Sequence, residues 1–124
     1  MISPPVIINE ADGSLGIFRS VEAAEQHLEP IDVENDEYTA YDSTGRRLKL
    51  CVRSRPRRIL FGLCRVQIKE VYVEMPAEES NVSAELQIVL ARALQKAGMD
   101  TATVRGASLE ELVAEAERRL GVTR

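Results

Sequence analysis

Apolar residues alternate or cluster in short runs along the first 75 residues, then recur at helical spacing to the end. Val6 to Ile8, after Pro4 and Pro5, read as a strand. Ala11-Asp12-Gly13-Ser14 signals a turn, and Leu15 to Arg19 supplies the returning strand of a hairpin. Ser20 caps a short helix, SVEAAEQHLE, in which Val21, Ala24 and Leu28 share a face. Pro30 reads as its stop.

Glu37 to Asp42 alternates again, with Tyr38 and Ala40 on one side and Thr39 and Tyr41 on the other. Ser43-Thr44-Gly45 is a hairpin turn. Arg46 to Arg53 returns with Leu48, Leu50 and Val52 inward and Arg47, Lys49, Cys51 and Arg53 outward. SRPRR reads as a polar connection. In the run from Ile59 to Met75, Cys64, Val66 and Ile68 have one parity and Val71, Val73 and Met75 the other. That switch predicts either a β-bulge near Lys69-Glu70 or two strands broken near Gly62.

Pro76 ends the strands. A helix capped by Asn81 or Ser83 is expected to run to Ala97, with Gly98 as stop. Its buried stripe is Val82, Leu86, Val89, Leu90, Ala93 and Ala97, and Ile88 points away from it. Ser108-Leu109-Glu110-Glu111 is a capping box, opening a last helix to Leu120 with Leu109, Leu112, Val113, Ala116 and Leu120 on one face. The expected fold is a single α+β domain over residues 1–124. It has an antiparallel sheet of about five strands, a short helix after the first hairpin, and two C-terminal helices covering one sheet face.

Charge changes this picture more than composition does. Residues 1–45 hold ten acids against one base, residues 46–69 hold nine bases and no acid, and residues 70–124 hold ten acids and six bases. The overall charge of −4 conceals that layout, which points to charged partners or to internal pairing. The bland account pairs the outward bases of strand 46–53 with the outward acids of strand 37–42.

Cys51 and Cys64 are too few for a disulfide framework and fit no zinc spacing, so both read as small apolar residues in a reducing cytosol. MISPPVIINE lacks a basic segment followed by a long apolar run, and no apolar run nears the ~20 residues that span a bilayer. A cytoplasmic protein without membrane partner, metal or cofactor is expected. His27, the only imidazole, has no recognisable nucleophile beside it, and no phosphate loop or zinc-protease pattern occurs, so an enzyme is not expected.

Two surfaces remain as candidates. Asp32, Glu34, Asp36, Glu37 and Asp42, interleaved with Tyr38 and Tyr41, suit a partner with a cationic cleft: charge steers the encounter and tyrosine supplies buried area. Arg53, Arg55, Arg57 and Arg58 are the alternative, a nucleic-acid-binding surface within the basic segment 46–69. Phe61 is its only nearby aromatic, which makes stacking on single strands a poor fit. Ile88 with Leu94 or Phe61 would make a weak homodimer patch on an otherwise monomeric chain.

The run FRSVEAAEQHLEPIDVENDEYTAYDSTGRRLKL resembles small bacterial immunity proteins of polymorphic toxin systems, including those of Rhs and type VI secretion effectors. The likeness covers about residues 17 to 50: a short strand, Ser-Val-Glu-Ala-Ala-Glu, Leu-Glu-Pro-Ile-Asp-Val, then Glu-Tyr, Tyr-Asp and Gly-Arg. The arginine-rich stretch 53–65 and a second C-terminal helix depart from that pattern. The resemblance implies a non-enzymatic cytosolic antitoxin that binds one cognate toxin, encoded by the adjacent gene, and occludes its active site.

Overall fold

The computed structural model describes residues 1–76 and 81–122. Five strands, β1 (Val6–Glu10), β2 (Leu15–Phe18), β3 (Tyr38–Tyr41), β4 (Arg47–Ile59) and β5 (Cys64–Glu74), form one sheet in the order β2-β1-β3-β4-β5. Every neighbouring pair is antiparallel. The helices are α1 (Val21–His27), α2 (Pro30–Glu34), α3 (Ser83–Lys96), α4 (Thr101–Gly106) and α5 (Leu109–Leu120). The α+β architecture expected from the hydrophobic pattern is the one observed.

Helices cover both faces of the sheet, not one. Ile7, Ile17 and Tyr41 pack with Leu86, Leu90 and Leu94 of α3, Val104 of α4, and Leu112, Val113 and Ala116 of α5. Val6, Ile8, Phe18, Ala40, Leu48, Val71 and Val73 pack on the other side with Ala24 and Leu28. The period-2 alternation of β1 therefore buries both parities, which is why Val6, Ile7 and Ile8 form an unbroken apolar run. Two helices escaped the sequence reading. Pro30 does not stop the chain but opens α2 at its first turn, where a missing N–H costs no hydrogen bond. In α4 only Val104 is buried, too little apolar periodicity to declare a helix.

The C-terminal helices follow their caps. The Ser108–Glu111 capping box closes both ways. Asn81 Oδ1 accepts from Ser83 N at 3.0 Å, one residue before the assigned N-cap Val82. Leu94 completes the buried stripe of α3, and Ala97 is exposed. Ile88 is exposed and Leu94 fully buried, so these two residues of α3 form no homodimer patch.

The segment 53–69 departs most from expectation. SRPRR is not a connection but the continuation of β4, and β5 pairs with it without interruption from Lys49↔Glu74 to Ile59↔Cys64. There is no bulge at Lys69-Glu70; the chain breaks at 60–63, around Gly62. Pro56 fits because, this far out, β4 has a strand neighbour on one side only. The parity switch is real but reports a change of apolar face. Val71, Val73 and Met75 turn toward the core beneath α1 and α2, whereas Ile68, Val66 and Cys64 lie on the opposite face.

Candidate functional site

Two surfaces meet at one end of the sheet. The β3–β4 register places Tyr38 level with Leu50, and Glu10 pairs with Tyr38 at the same level. Beyond it β4 and β5 continue alone as a two-stranded arm from Arg53 to Lys69, roughly 20 Å long at about 3.3 Å per residue. The acidic ledge lies at the foot of this arm.

The ledge is built by α2, the start of β3 and the β1–β2 turn. Asp36 takes a left-handed conformation (φ 55°), which the short polar Asp tolerates, and so turns the chain from α2 into β3. This brings Asp32 and Glu37 beside Glu10 and Asp12 around a shallow cavity of about 240 Å³ with Tyr38 in its lining. The Tyr38 hydroxyl donates to Asp32 Oδ2 at 3.1 Å. Burial, and then this carboxylate, hold the Tyr38 phenol above its ordinary pKa. A hydrogen bond to Asp32 and repulsion by its charge raise the pKa of Glu37. Ser14 donates from its backbone and hydroxyl to Asp12 and lowers that carboxyl's pKa. Among the described residues no three His, Cys, Asp or Glu side chains converge to hold a metal ion.

Of the seven acidic-surface candidates, the fold brings Asp32, Glu37 and Tyr38 together and leaves Asp36 exposed beside them. Glu34 is spent locally, accepting from Lys69 Nζ at 2.9 Å. Tyr41 and Asp42 are not surface residues. Tyr41 is buried under α3 and donates to Glu85 Oε1 at 2.8 Å. Asp42 is fully buried and organises the β3–β4 turn, accepting from Thr44 N at 3.0 Å, Arg46 N at 3.0 Å and Thr44 Oγ1 at 2.7 Å. Glu10 and Asp12 escaped the sequence reading because nothing local ties the first turn to residues 32–38; only the β1–β3 pairing does.

The arm carries six bases and no acid between residues 53 and 69. Its lower bases are matched: Arg53 bonds Glu74, Arg55 meets Glu70 at 2.8 Å, and Lys69 meets Glu34. Arg53 also stacks over the Tyr72 ring, 4.8 Å from its centroid. These acids come from β5 and α2, not from strand 37–42, because β3 pairs with β4 only at Ala40↔Leu48 and Tyr41↔Arg47. Nearer the tip, Arg57, Arg58 and Arg65 meet no acid among the described residues. Arg65 was not among the sequence candidates; it joins Arg58 only once the register is known.

The tip itself is apolar. Leu60 and Leu63 are 63% and 84% exposed, and Phe61 is fully exposed. Leu60 and Phe61 adopt positive φ (55° and 57°), followed by Gly62 at 87°. For side chains other than Gly, Asn or Asp that conformation costs about 1–2 kcal/mol per residue. No family model, no curated protein and no solved structure matches the chain.

Proposed function

We propose that this protein is a non-enzymatic inhibitor that binds another protein, of the immunity type that residues 17 to 50 resemble, acting on a cognate bacterial toxin in the cytosol. One observation carries the reading: an acidic ledge and a cationic arm with an apolar tip share one end of the molecule. A protein surface can complement both signs and bury the tip, whereas a polyanion is repelled by the ledge it would meet at the arm's foot. Exposed large apolar residues grouped on a projecting element are the feature expected of an interaction site. The overall charge of −4 supports the same choice over nucleic acid.

The test is co-expression with the product of the adjacent reading frame. A stable one-to-one complex, together with rescue of cells from that product's toxicity, is the expected result. An intrinsic hydrolase or transferase activity in the purified chain, abolished by one point substitution, would overturn the reading.

A further inference from the structure

Resting on that reading, we infer that the arm is the plug of the complex. It enters a partner cleft with an apolar floor and an acidic wall, Phe61 reaching the floor and the opposed pair Arg58–Arg65 gripping a carboxylate of the wall. Three independent features of the free arm are unfavourable until such a partner is present. Arg58 and Arg65 stand directly opposite one another in the register, and like charges in that position destabilise a β-ladder. Leu60 and Phe61 hold a backbone conformation that disfavours their side chains. The apolar tip faces water on every side. Strain gathered at one exposed place is a reason to look for a ligand there.

The chemistry of the ligand follows from the side chains. Two neighbouring guanidinium groups present planar forks that match a carboxylate or a phosphate. Alone, they do not choose between a protein and a polyanion. The apolar residues do. Val66 carries the apolar character of the tip one step down β5, on the face opposite Arg58 and Arg65 and directly across from Arg57. A bilayer met end-on takes up the apolar tip, but its anionic headgroups lie in one mobile plane and form no fixed wall for the Arg58–Arg65 pair. A duplex groove offers phosphates but no apolar floor for Leu60, Phe61 and Leu63, and the three arginines that meet no acid among the described residues are few beside the 6–10 phosphate contacts of a strongly salt-dependent binder. A protein cleft about as wide as a two-stranded ribbon supplies both the apolar floor and the acidic wall.

The chain contains no tryptophan, so Phe61→Trp places a single indole at the tip. Three probes are titrated against this variant: the purified product of the adjacent reading frame, a short DNA duplex, and phosphatidylcholine vesicles carrying phosphatidylserine. Calorimetry follows the unmodified chain, Arg65→Glu and Phe61→Ser against the same protein. The inference expects an indole blue shift with the protein probe alone. It also expects Kd to rise at least thirtyfold for each of the two other variants, the scale of a lost anchor or a broken charge pair. Arg65→Glu converts the opposed pair into Arg–Glu, so the melting temperature should hold and amide protection along the arm should increase. A merely structural role would make that variant bind as well or better. If the product binds all three chains equally, the plug is wrong and the inhibitor reading stands. If it does not bind the unmodified chain, both are wrong. An indole response to duplex or vesicles that disappears with Arg65→Glu would overturn the plug in favour of a polyanion.

Discussion

Replacing Asp42 by Ala separates the two roles open to this residue, contact or scaffold. The carboxylate sits fully buried between β3 and β4. Oδ1 accepts from Thr44 N, Arg46 N and Thr44 Oγ1, and Oδ2 accepts from Ser3 N at 3.3 Å. Alanine leaves three backbone amides and a hydroxyl without this acceptor. Hydrogen bonds to a charged group contribute about 1.5–3 kcal/mol each, but they are not additive and the exposed side of Thr44 admits water. Removing a desolvated charge offsets part of the loss. The expected cost is about 3–5 kcal/mol, a large share of the roughly 5–15 kcal/mol available to a domain of this size. In a thermal melt this corresponds to a fall of roughly 10–20 °C. Asp42→Asn keeps one acceptor oxygen and should lose about half as much. Urea midpoints and melts followed by circular dichroism give both values. An Asp42→Ala chain that melts within about 1 kcal/mol of the original yet binds its partner poorly would refute the scaffold argument and return Asp42 to the contact surface.

Gly45 closes the same turn at φ 91°, and an added Cβ would lie 2.6 Å from Ser83 Cα, so Gly45→Ala should cost about 3 kcal/mol or more, measured by urea unfolding. Burial first, then Glu85, raise the Tyr41 pKa; the phenol's contribution is thus complete below the ordinary tyrosine value of about 10 and is lost as pH climbs past it. Tyr41→Phe should lower neutral stability by about 1 kcal/mol and flatten the alkaline limb of a stability–pH curve. Asp36→Lys with Glu37→Lys should slow association with the adjacent-frame product and weaken its salt dependence, as stopped-flow mixing at two ionic strengths would record, at a cost of about 1 kcal/mol in the melt because Lys replaces Asp at a left-handed φ.

Local chemistry was legible wherever the signal is local. Ser20 caps α1 through Ala23 N at 3.1 Å, Ser108 forms its box, and Leu48 and Leu50 turn inward as their alternation requires. Long-range pairing was not. Arg53 and Arg55 of β4 find Glu74 and Glu70, and Lys69 of β5 finds Glu34, partners fixed by the β4–β5 register and by α2, which Pro30 concealed. The alternation of β3 puts Tyr38 and Tyr41 on opposite faces, so that one of them can be core, and it is Tyr41; Asp42 has a type that is usually exposed, yet a turn carboxylate surrounded by its own amides can be buried, and no spacing rule announces it. The parity switch at Lys69 was visible, but a bulge and a change of apolar face leave the same trace in a single strand's sequence. Only the partner strand distinguishes them.

The sharp division of charge then has a physical account that neither segment supplies alone. Acids within residues 1–45 include the buried organiser Asp42 and the ledge, while the bases of 46–69 begin as sheet residues and end as an arm outside both cores. Much of residues 17–50 is scaffold: the cap at Ser20, the α2 start at Pro30, buried Tyr41 and Asp42, and Gly45 pressed on α3. The arm lies beyond that stretch, and the two apolar cores exclude its tip. Substitutions between Arg57 and Arg65 should therefore change what is bound while leaving the rest of the fold intact. An element outside the cores can vary its contacts without disturbing them. A chain with residues 55–68 replaced by a two-residue Asn-Gly turn between Ser54 and Lys69, paired neighbours in the ladder, tests this directly. It should fold with an unchanged melt within about 1 kcal/mol and lose its partner. If the shortened chain fails to fold, the arm belongs to the scaffold and the division drawn between the two is wrong.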